Sequence, residues 1–449
     1  MSQIKLFGSK RSGSRLAKNR RAYASAAVPA KRRNPLKPVA IVLFVLLLIE
    51  ICYFVCVYSQ NAFISKWRTI YIETAMDTLN HKWLATTIIP DDIIQDVMDQ
   101  RTEALSQQIG LSSGWTKEED AEDAEEETET TQEKKAQEFN VDISVVDEEA
   151  EAEKSAQEEF YSLFYELDQA SFEAYLEEHP DVLDNGWDKI YINEAGLDDS
   201  GTDILTVQGE NVLAIDAVNK ILLVRVKGDN YLGVLAIAKD PANLSVCASS
   251  QLGSSGETAG TIAQAHNGVL AMTGSGFIDP NGSGNGGTLA GYAMCNGVEY
   301  GYAHMGWGYK RLELHEDNLM YIKDASAEVD PSTTDAVEFQ PALIIDGTIV
   351  VDSNCGWTGL QPRACIGQSD KYEILMLVIE GRMPVRSVGT HVIACAEILK
   401  SHGCMQAMNL DGGTSAIMWY DGEYITKCSN QSLPSGRPLP TAFVYSRSE

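Results

Sequence analysis

The stretch Asn409-Leu410-Asp411-Gly412-Gly413-Thr414-Ser415 sets one acid between an apolar run, 405–410, and a glycine pair. A second apolar run follows through Met418, Trp419 and Tyr420, so the periodicity reads as strand, tight turn, strand. Taken alone it is an Asp-Gly hairpin turn. Glycines also let a backbone approach a ligand closely. Upstream, an apolar run over 374–379 ends at Glu380-Gly381-Arg382. Val392, Ile393, Ala396 and Leu399 then mark a short helix that Gly403 stops. A strand, helix, strand series of this length predicts parallel strands joined by a right-handed crossover. Glu380, Arg382 and Asp411 then emerge at one carboxyl edge, where ligands settle in open α/β sheets. Arg363, within Gln361-Pro362-Arg363-Ala364-Cys365-Ile366-Gly367, and Arg437, within Ser435-Gly436-Arg437-Pro438, are two further candidates. Such carboxylates and arginines could be ordinary ion pairs. As chemistry they suit a reaction at a sugar carbon next to a phosphate. A carboxylate serves there as nucleophile, base or acid, and an arginine fork matches phosphate.

A second glycine-rich constellation runs Thr273-Gly274-Ser275-Gly276-Phe277-Ile278-Asp279-Pro280, then through 281–287. No Gly-Lys-Ser/Thr follows, so it is not a Walker loop. It is either a flexible surface loop or a pocket wall whose freed N–H groups cradle an anion. No Cys/His cluster has zinc-ligand spacing. No metal site and no cofactor is expected, although clustered carboxylates could hold Ca²⁺.

These groups sit far from the start of a 449-residue chain of formal net charge −29 and 44% hydrophobic content. Its charge is lopsided: residues 1–38 carry eleven Lys or Arg and no acid. Residues 39–58, VAIVLFVLLLIEICYFVCVY, match one crossing of the hydrocarbon core, which needs about 20 residues. The basic flank should stay cytoplasmic. The expectation is therefore a cell-membrane protein with a single span in type II orientation and its C-terminal domain extracellular. A basic tail could suggest nucleic acid, but the adjacent span argues against that partner. Glu50 inside the span is tolerated singly or snorkels. Seven cysteines lie beyond the span, an odd number, so an oxidising compartment would permit bridges yet leave at least one thiol.

Residues 59–113 carry helical spacing and read as a juxtamembrane stalk. Residues 114–159 read as an acidic disordered linker, because 118–159 hold nineteen acids and three lysines and cannot bury enough apolar surface to order themselves. Order resumes at 160. Phe160, Leu163, Phe164, Leu167, Phe172, Tyr175 and Leu176 repeat at helical spacing and read as core. Short apolar runs at 212–215, 221–226 and 232–238 then open a β-rich texture. The fold class expected is α+β, a mixed sheet with flanking helices in one domain over 160–449, preceded by the span and the stalk.

Taken together, the motifs resemble the phosphodiester glycosidase family over roughly 205–446. The family's NLDGG-S motif corresponds to Asn409–Ser415 here, its PRTAIG-type motif to Pro362-Arg363-Ala364-Cys365-Ile366-Gly367 and its DGR motif to Glu380-Gly381-Arg382. Its closing G-RP segment corresponds to Gly436-Arg437-Pro438. The glycine loop is similar to the family's bacterial pattern NASGF-D…GNGG, so a bacterial, membrane-anchored member is expected. The resemblance implies hydrolysis of a sugar-1-phosphodiester at its glycosidic bond, in a sugar-phosphate or surface polysaccharide such as an exopolysaccharide or cell-wall polymer. The leaving phosphate monoester has a second pKa of about 6, so a strong general acid is less necessary. Arginines would stabilise its charge, and a carboxylate the oxocarbenium-like centre. The implied roles are Asp411 as principal and Glu380 as second catalytic carboxylate. Arg363, Arg382 and Arg437 are phosphate or structural arginines, and Asn409, Gly412, Gly413, Thr414, Ser415, Thr273 and Gly276 line the substrate pocket. Two positions depart from the pattern: Thr273 replaces the family's asparagine and Glu380 its aspartate. If both fell in the pocket and blocked the sugar, a non-catalytic surface-glycan or partner-binding ectodomain would gain ground.

Overall fold

A computed structural model describes residues 36–78, 81–115, 146–301, 303–352 and 357–448. All but the last three residues of the expected basic tail, most of the acidic linker and Cys355 lie outside these residues. The chain divides into two compact units, 1–58 and 59–449. The described part of the first is the helix Leu36–Tyr58, 23 residues long and apolar enough to cross a membrane. At 1.5 Å per residue it spans about 35 Å.

The second unit is α+β. A nine-stranded sheet runs in the order Tyr191–Asn193, Val212–Asp216, Ile221–Lys227, Leu232–Ala238, Ile374–Ile379, Arg363–Ser369, Cys404–Asn409, Ala342–Ile345, Thr348–Ile349. All neighbours pair antiparallel. Ile374–Ile379 and Cys404–Asn409 both pair antiparallel with Arg363–Ser369 between them, so they are parallel to each other but not adjacent. The central strands are buried along nearly their whole length, which explains their long apolar runs. Alternate residues still serve two cores. Met376 and Val378 join one with Met272, Leu312 and Phe443, from two five-stranded sheets. Leu375, Leu377 and Ile379 join the other with Phe160, Phe172 and Leu399 from the helices. The aromatics expected as core between 160 and 176 pack as such, with Phe160 stacked on Phe172 at 5.3 Å.

Two segments differ from expectation. The acidic stretch is helical from Val146, in a helix that runs to Leu163, because its last two turns carry Phe160 and Leu163 into the core. The segment expected as a stalk is packed into the domain. Its helices Ala62–Met76, Trp83–Thr86 and Asp91–Gln107 share the small core Ile72, Ala85, Ile89, Ile94 and Val97. Buried Glu73 accepts the backbone N–H groups of Trp357 (3.0 Å) and Thr358 (2.5 Å). The Gln108 amide bonds the Ala342 and Val350 carbonyls at 3.0 and 3.1 Å. The Lys310 ammonium closes on the Gln108 and Leu111 carbonyls and on Asp324. Polar groups buried this way on both sides of a contact fix its register.

Candidate active site

The strand Arg363–Ser369 starts where its two neighbours end, with Arg363 opposite Ile379 and Cys365 opposite Asn409. Arg363, Glu380, Arg382 and Asp411 therefore do meet at one edge of the nine-stranded sheet. The turn after Asn409 is no hairpin: Cys404–Asn409 belongs to this sheet and Met418–Tyr420 to a five-stranded one. The turn Gly413–Ser415 crosses between them. A Cβ at Gly412 would stand 2.6 Å from the Pro362 carbonyl oxygen. Gly413 takes φ +59, and a Cβ there would lie 3.3 Å from the Arg382 guanidinium. Both glycines thus press the turn against Pro362 and Arg382.

A cavity of about 810 Å³ opens at this place, within the size range of a small-molecule site. Arg363, Arg382, Asn409, Asp411, Gly412, Gly413, Thr414, Ser415 and Arg437 line it. Three expected site residues do not. Glu380 is buried behind the edge: its carboxylate takes the Arg386 fork at 2.5 and 3.0 Å and the Lys427 N–H at 2.8 Å. The reason is local. Gly381 is pressed against Pro362 and Arg382 takes φ +60, so Arg382 faces the cavity while Glu380 stays behind it. Thr273 ends the strand Gly268–Thr273, with its hydroxyl buried and without a partner. Gly276 sits behind Phe339, 3.0 Å from where its Cβ would be.

The charges that do face the cavity are unevenly matched. Arg437 forks onto Asp279, with one contact at 2.9 Å, and also donates to the Gly284 carbonyl at 2.6 Å. Its planar group lies 4.5 Å over the Phe277 ring. Arg437 thus staples the glycine loop, and its fork is occupied. Arg382 instead donates to the neutral Gln361 Oε1 at 3.1 and 2.7 Å. Arg363 donates to the carbonyls of Thr390 (3.2 Å) and Gly359 (2.8 Å). Among the described residues neither has a carboxylate partner within ion-pair distance. Burial, and then the neighbouring Arg363, pull the Arg382 pKa down, while Asp77 and Asp411 oppose. Two guanidiniums held together on neutral acceptors make a place for an anion.

The carboxylates are driven apart. Burial pushes Asp411 up to about 6, with Asp279 adding to the rise and a Ser415 hydrogen bond, Arg437 and Arg382 opposing. The Arg437 hydrogen bond holds Asp279 below the usual carboxylate range. Divergent pKa values on neighbouring carboxylates mark acid–base sites. Asp279 is a second carboxylate on the sheet side of the cavity, beside Asp411. It stands in the quoted Phe277-Ile278-Asp279 run, and only its pairing with Arg437, 158 residues away, reveals it. Asp77, Thr78, His81 and Arg101 of the helical segment also line the cavity. Arg101 bonds Asp77 at 2.5 Å and lies 3.5 Å over the Trp357 ring. No motif pointed to them. Among the described residues no three His, Cys, Asp or Glu side chains are grouped to hold a metal ion, and no cysteine is bridged.

Residues 266–446 match the model of the phosphodiester glycosidase family, and every motif that carried the resemblance falls inside that stretch. The uncharacterized SPbeta prophage-derived protein YomE of Bacillus subtilis (strain 168) is 26% identical over 184 residues, 39% of this chain and 28% of that protein. This chain thus matches little more than a quarter of that relative's length. Among solved structures, the catalytic domain of zebrafish N-acetylglucosamine-1-phosphodiester alpha-N-acetylglucosaminidase, auto-inhibited by its pro-peptide, aligns at 17% identity and TM-score 0.43. The alignment covers 51% of this chain and 82% of that one. A hypothetical protein from Synechocystis aligns at 12% identity and TM-score 0.36, over 52% of this chain and 64% of that one.

Proposed function

We propose that this chain is a membrane-anchored hydrolase that cleaves the glycosidic carbon–oxygen bond of a sugar-1-phosphodiester. The observation that carries the reading is that Asp411, held near 6, shares one cavity with Arg363 and Arg382, which among the described residues have no carboxylate within ion-pair distance. The phosphodiester would lie on Arg363 and Arg382. Its leaving oxygen would depart on a phosphate monoester whose charge the two guanidiniums stabilise. Asp411, ionised above pH 6, would face the anomeric carbon and either activate water or meet the oxocarbenium-like centre directly. Asp279, fixed by Arg437, keeps its charge and raises the basicity of Asp411. Glu380 has no part in this chemistry. Neither Glu380 nor Thr273 lines the cavity, so the two departures from the family pattern do not stand where a sugar would bind, which supports the catalytic reading over a binding-only one.

Hydrolysis in ¹⁸O-labelled water tests the reading. Attack at carbon puts the label on the anomeric hydroxyl of the released sugar, read before that position exchanges with solvent. Attack at phosphorus puts it on phosphate. Label on phosphate refutes the proposal even for an active protein.

A further inference from the structure

The helix Ala62–Met76 has two unlike faces. Ile72, Glu73 and Ala75 are buried in the domain. On another side Phe63, Trp67 and Tyr71 recur every four residues, 71%, 51% and 41% exposed, which puts them in one stripe. The rings of Phe63 and Trp67 lie 6.3 Å apart. The Tyr71 hydroxyl donates to the Leu84 carbonyl at 2.8 Å, tying the helix Trp83–Thr86 to the stripe, and Trp83 is 58% exposed. The charge around the stripe is equally one-sided. Between 59 and 89 the exposed charged side chains are Lys66 and Lys82. The two acids there are engaged elsewhere, Glu73 with Trp357 and Thr358, Asp77 with Arg101. In a chain of net charge −29, these 31 residues expose no acid, and the first exposed acids after them are Asp91 and Asp92.

We infer that this stripe seats in the headgroup layer of the membrane that the helix Leu36–Tyr58 crosses, an inference that rests on the anchoring part of the function proposed above. Three residues separate the end of that helix from Ala62, and even fully extended they reach about 11 Å. The headgroup layer on each side of a bilayer is about 5–8 Å thick, so the aromatic helix starts at its border. Phe, Trp and Tyr rings flanked by lysines form the composition that settles there. Aromatic rings sit at headgroup depth, and lysine stems carry their charge to anionic lipid. The same segment lines the cavity with Asp77, Thr78 and His81. Seating the stripe therefore holds the cavity at the bilayer surface, where a sugar phosphodiester with a lipid aglycone presents its head.

The test uses the full chain, labelled with 5-fluorotryptophan, in nanodiscs of phosphatidylcholine and phosphatidylglycerol with a headgroup-attached spin label. The variants W67F and W83F assign the two resonances. The expected result is loss of the Trp67 and Trp83 signals to paramagnetic broadening, while Trp307, 56% exposed, and buried Trp419 keep theirs. Survival of Trp67 and Trp83 alongside Trp307 overturns the inference and leaves the stripe to a protein partner. Equal loss at Trp307 also overturns it, since no particular face would then be seated. A chain that fails to enter the disc overturns the anchoring and this inference with it. None of these readouts needs turnover, so they stand or fall apart from the hydrolase reading. A second arm combines F63S, W67S and W83S. Turnover should be lost on a sugar-1-phosphate ester of a long-chain alcohol in the disc and kept on its short-chain soluble counterpart. Equal turnover on both refutes a membrane-held cavity.

Discussion

Asp411→Asn preserves shape and removes one charge, so it separates two effects that most active-site variants confound. Burial holds the wild-type carboxyl at about 6 instead of 3.8. At 1.36 kcal/mol per pH unit, that difference costs the fold at most ~3 kcal/mol at neutral pH, reduced to about 1–3 because the carboxyl opens on the cavity. The sign follows from linkage. The folded carboxyl binds its proton more tightly than the unfolded one, so the cost is full above pH 6 and fades as pH falls toward 4. Asn carries no such cost. The variant should be more stable than wild type by about 1–3 kcal/mol at pH 7.5, with about two-thirds of that advantage gone at pH 4.5. Turnover should drop by about 10²–10⁴, the usual share of a positioned carboxylate. Paired denaturant titrations at the two pH values, with kinetics at pH 7.5, give both quantities. In wild type the acid limb of kcat/KM should bend near 6. Surviving turnover would return Asp411 to a plain turn residue. A variant less stable than wild type at pH 7.5 would show that the charge is not desolvated.

Arg382→Lys exchanges a fork for a point charge and loses at least one charge-assisted hydrogen bond of about 1.5–3 kcal/mol. KM for a phosphodiester substrate should rise about 10–100-fold, and an unchanged KM would remove Arg382 from the anion site. Glu380→Gln strips Arg386 of its buried carboxylate and should lower unfolding free energy by about 3 kcal/mol. Its kcat/KM at 10 °C should match wild type; a fall in turnover at unchanged stability would put Glu380 back in the chemistry. Glu73→Ala leaves the N–H groups of Trp357 and Thr358 without acceptors, at about 1–3 kcal/mol each. Faster amide exchange at 357–360 is the expected sign, and unchanged exchange would show that the helix is held elsewhere.

The apolar runs at 212–215, 221–226, 232–238, 374–379 and 405–410 were legible because a strand buried on both faces is mostly apolar. The shared edge of Glu380, Arg382 and Asp411 was legible for the same reason, while Arg363 reaches it on the strand interposed between them. What sequence spacing lacks is the interposed strand. Arg363–Ser369 separates two strands that a strand, helix, strand pattern would make neighbours, and that pattern is silent about insertion. The docking of 62–107 was equally hidden. Its helical spacing was visible, but its hold on the domain runs through single polar groups, Glu73 and Gln108, that pair with backbone some 230–290 residues away. No periodicity encodes such a pairing.

The exchange of Asp279 for Glu380 as second carboxylate has a sharper cause. Glu380 precedes a glycine, Asp279 stands in the glycine-rich loop, and each has an arginine partner. The difference is where that arginine comes from. Arg386 lies six residues beyond Glu380, close enough to fold back and cover it on the far side of Arg382. Arg437 reaches Asp279 from the C-terminal segment and brings it to the cavity wall. A local partner buries a carboxylate away from a site, whereas a distant one can bring it there. The same pairing explains why Arg437, read as a phosphate fork, is not free to be one. Three hydrogen bonds commit its two terminal nitrogens to Asp279 and the Gly284 carbonyl before any substrate arrives. Arg363 and Arg382 keep positive charge unspent because their acceptors are neutral, and an anionic substrate needs that imbalance.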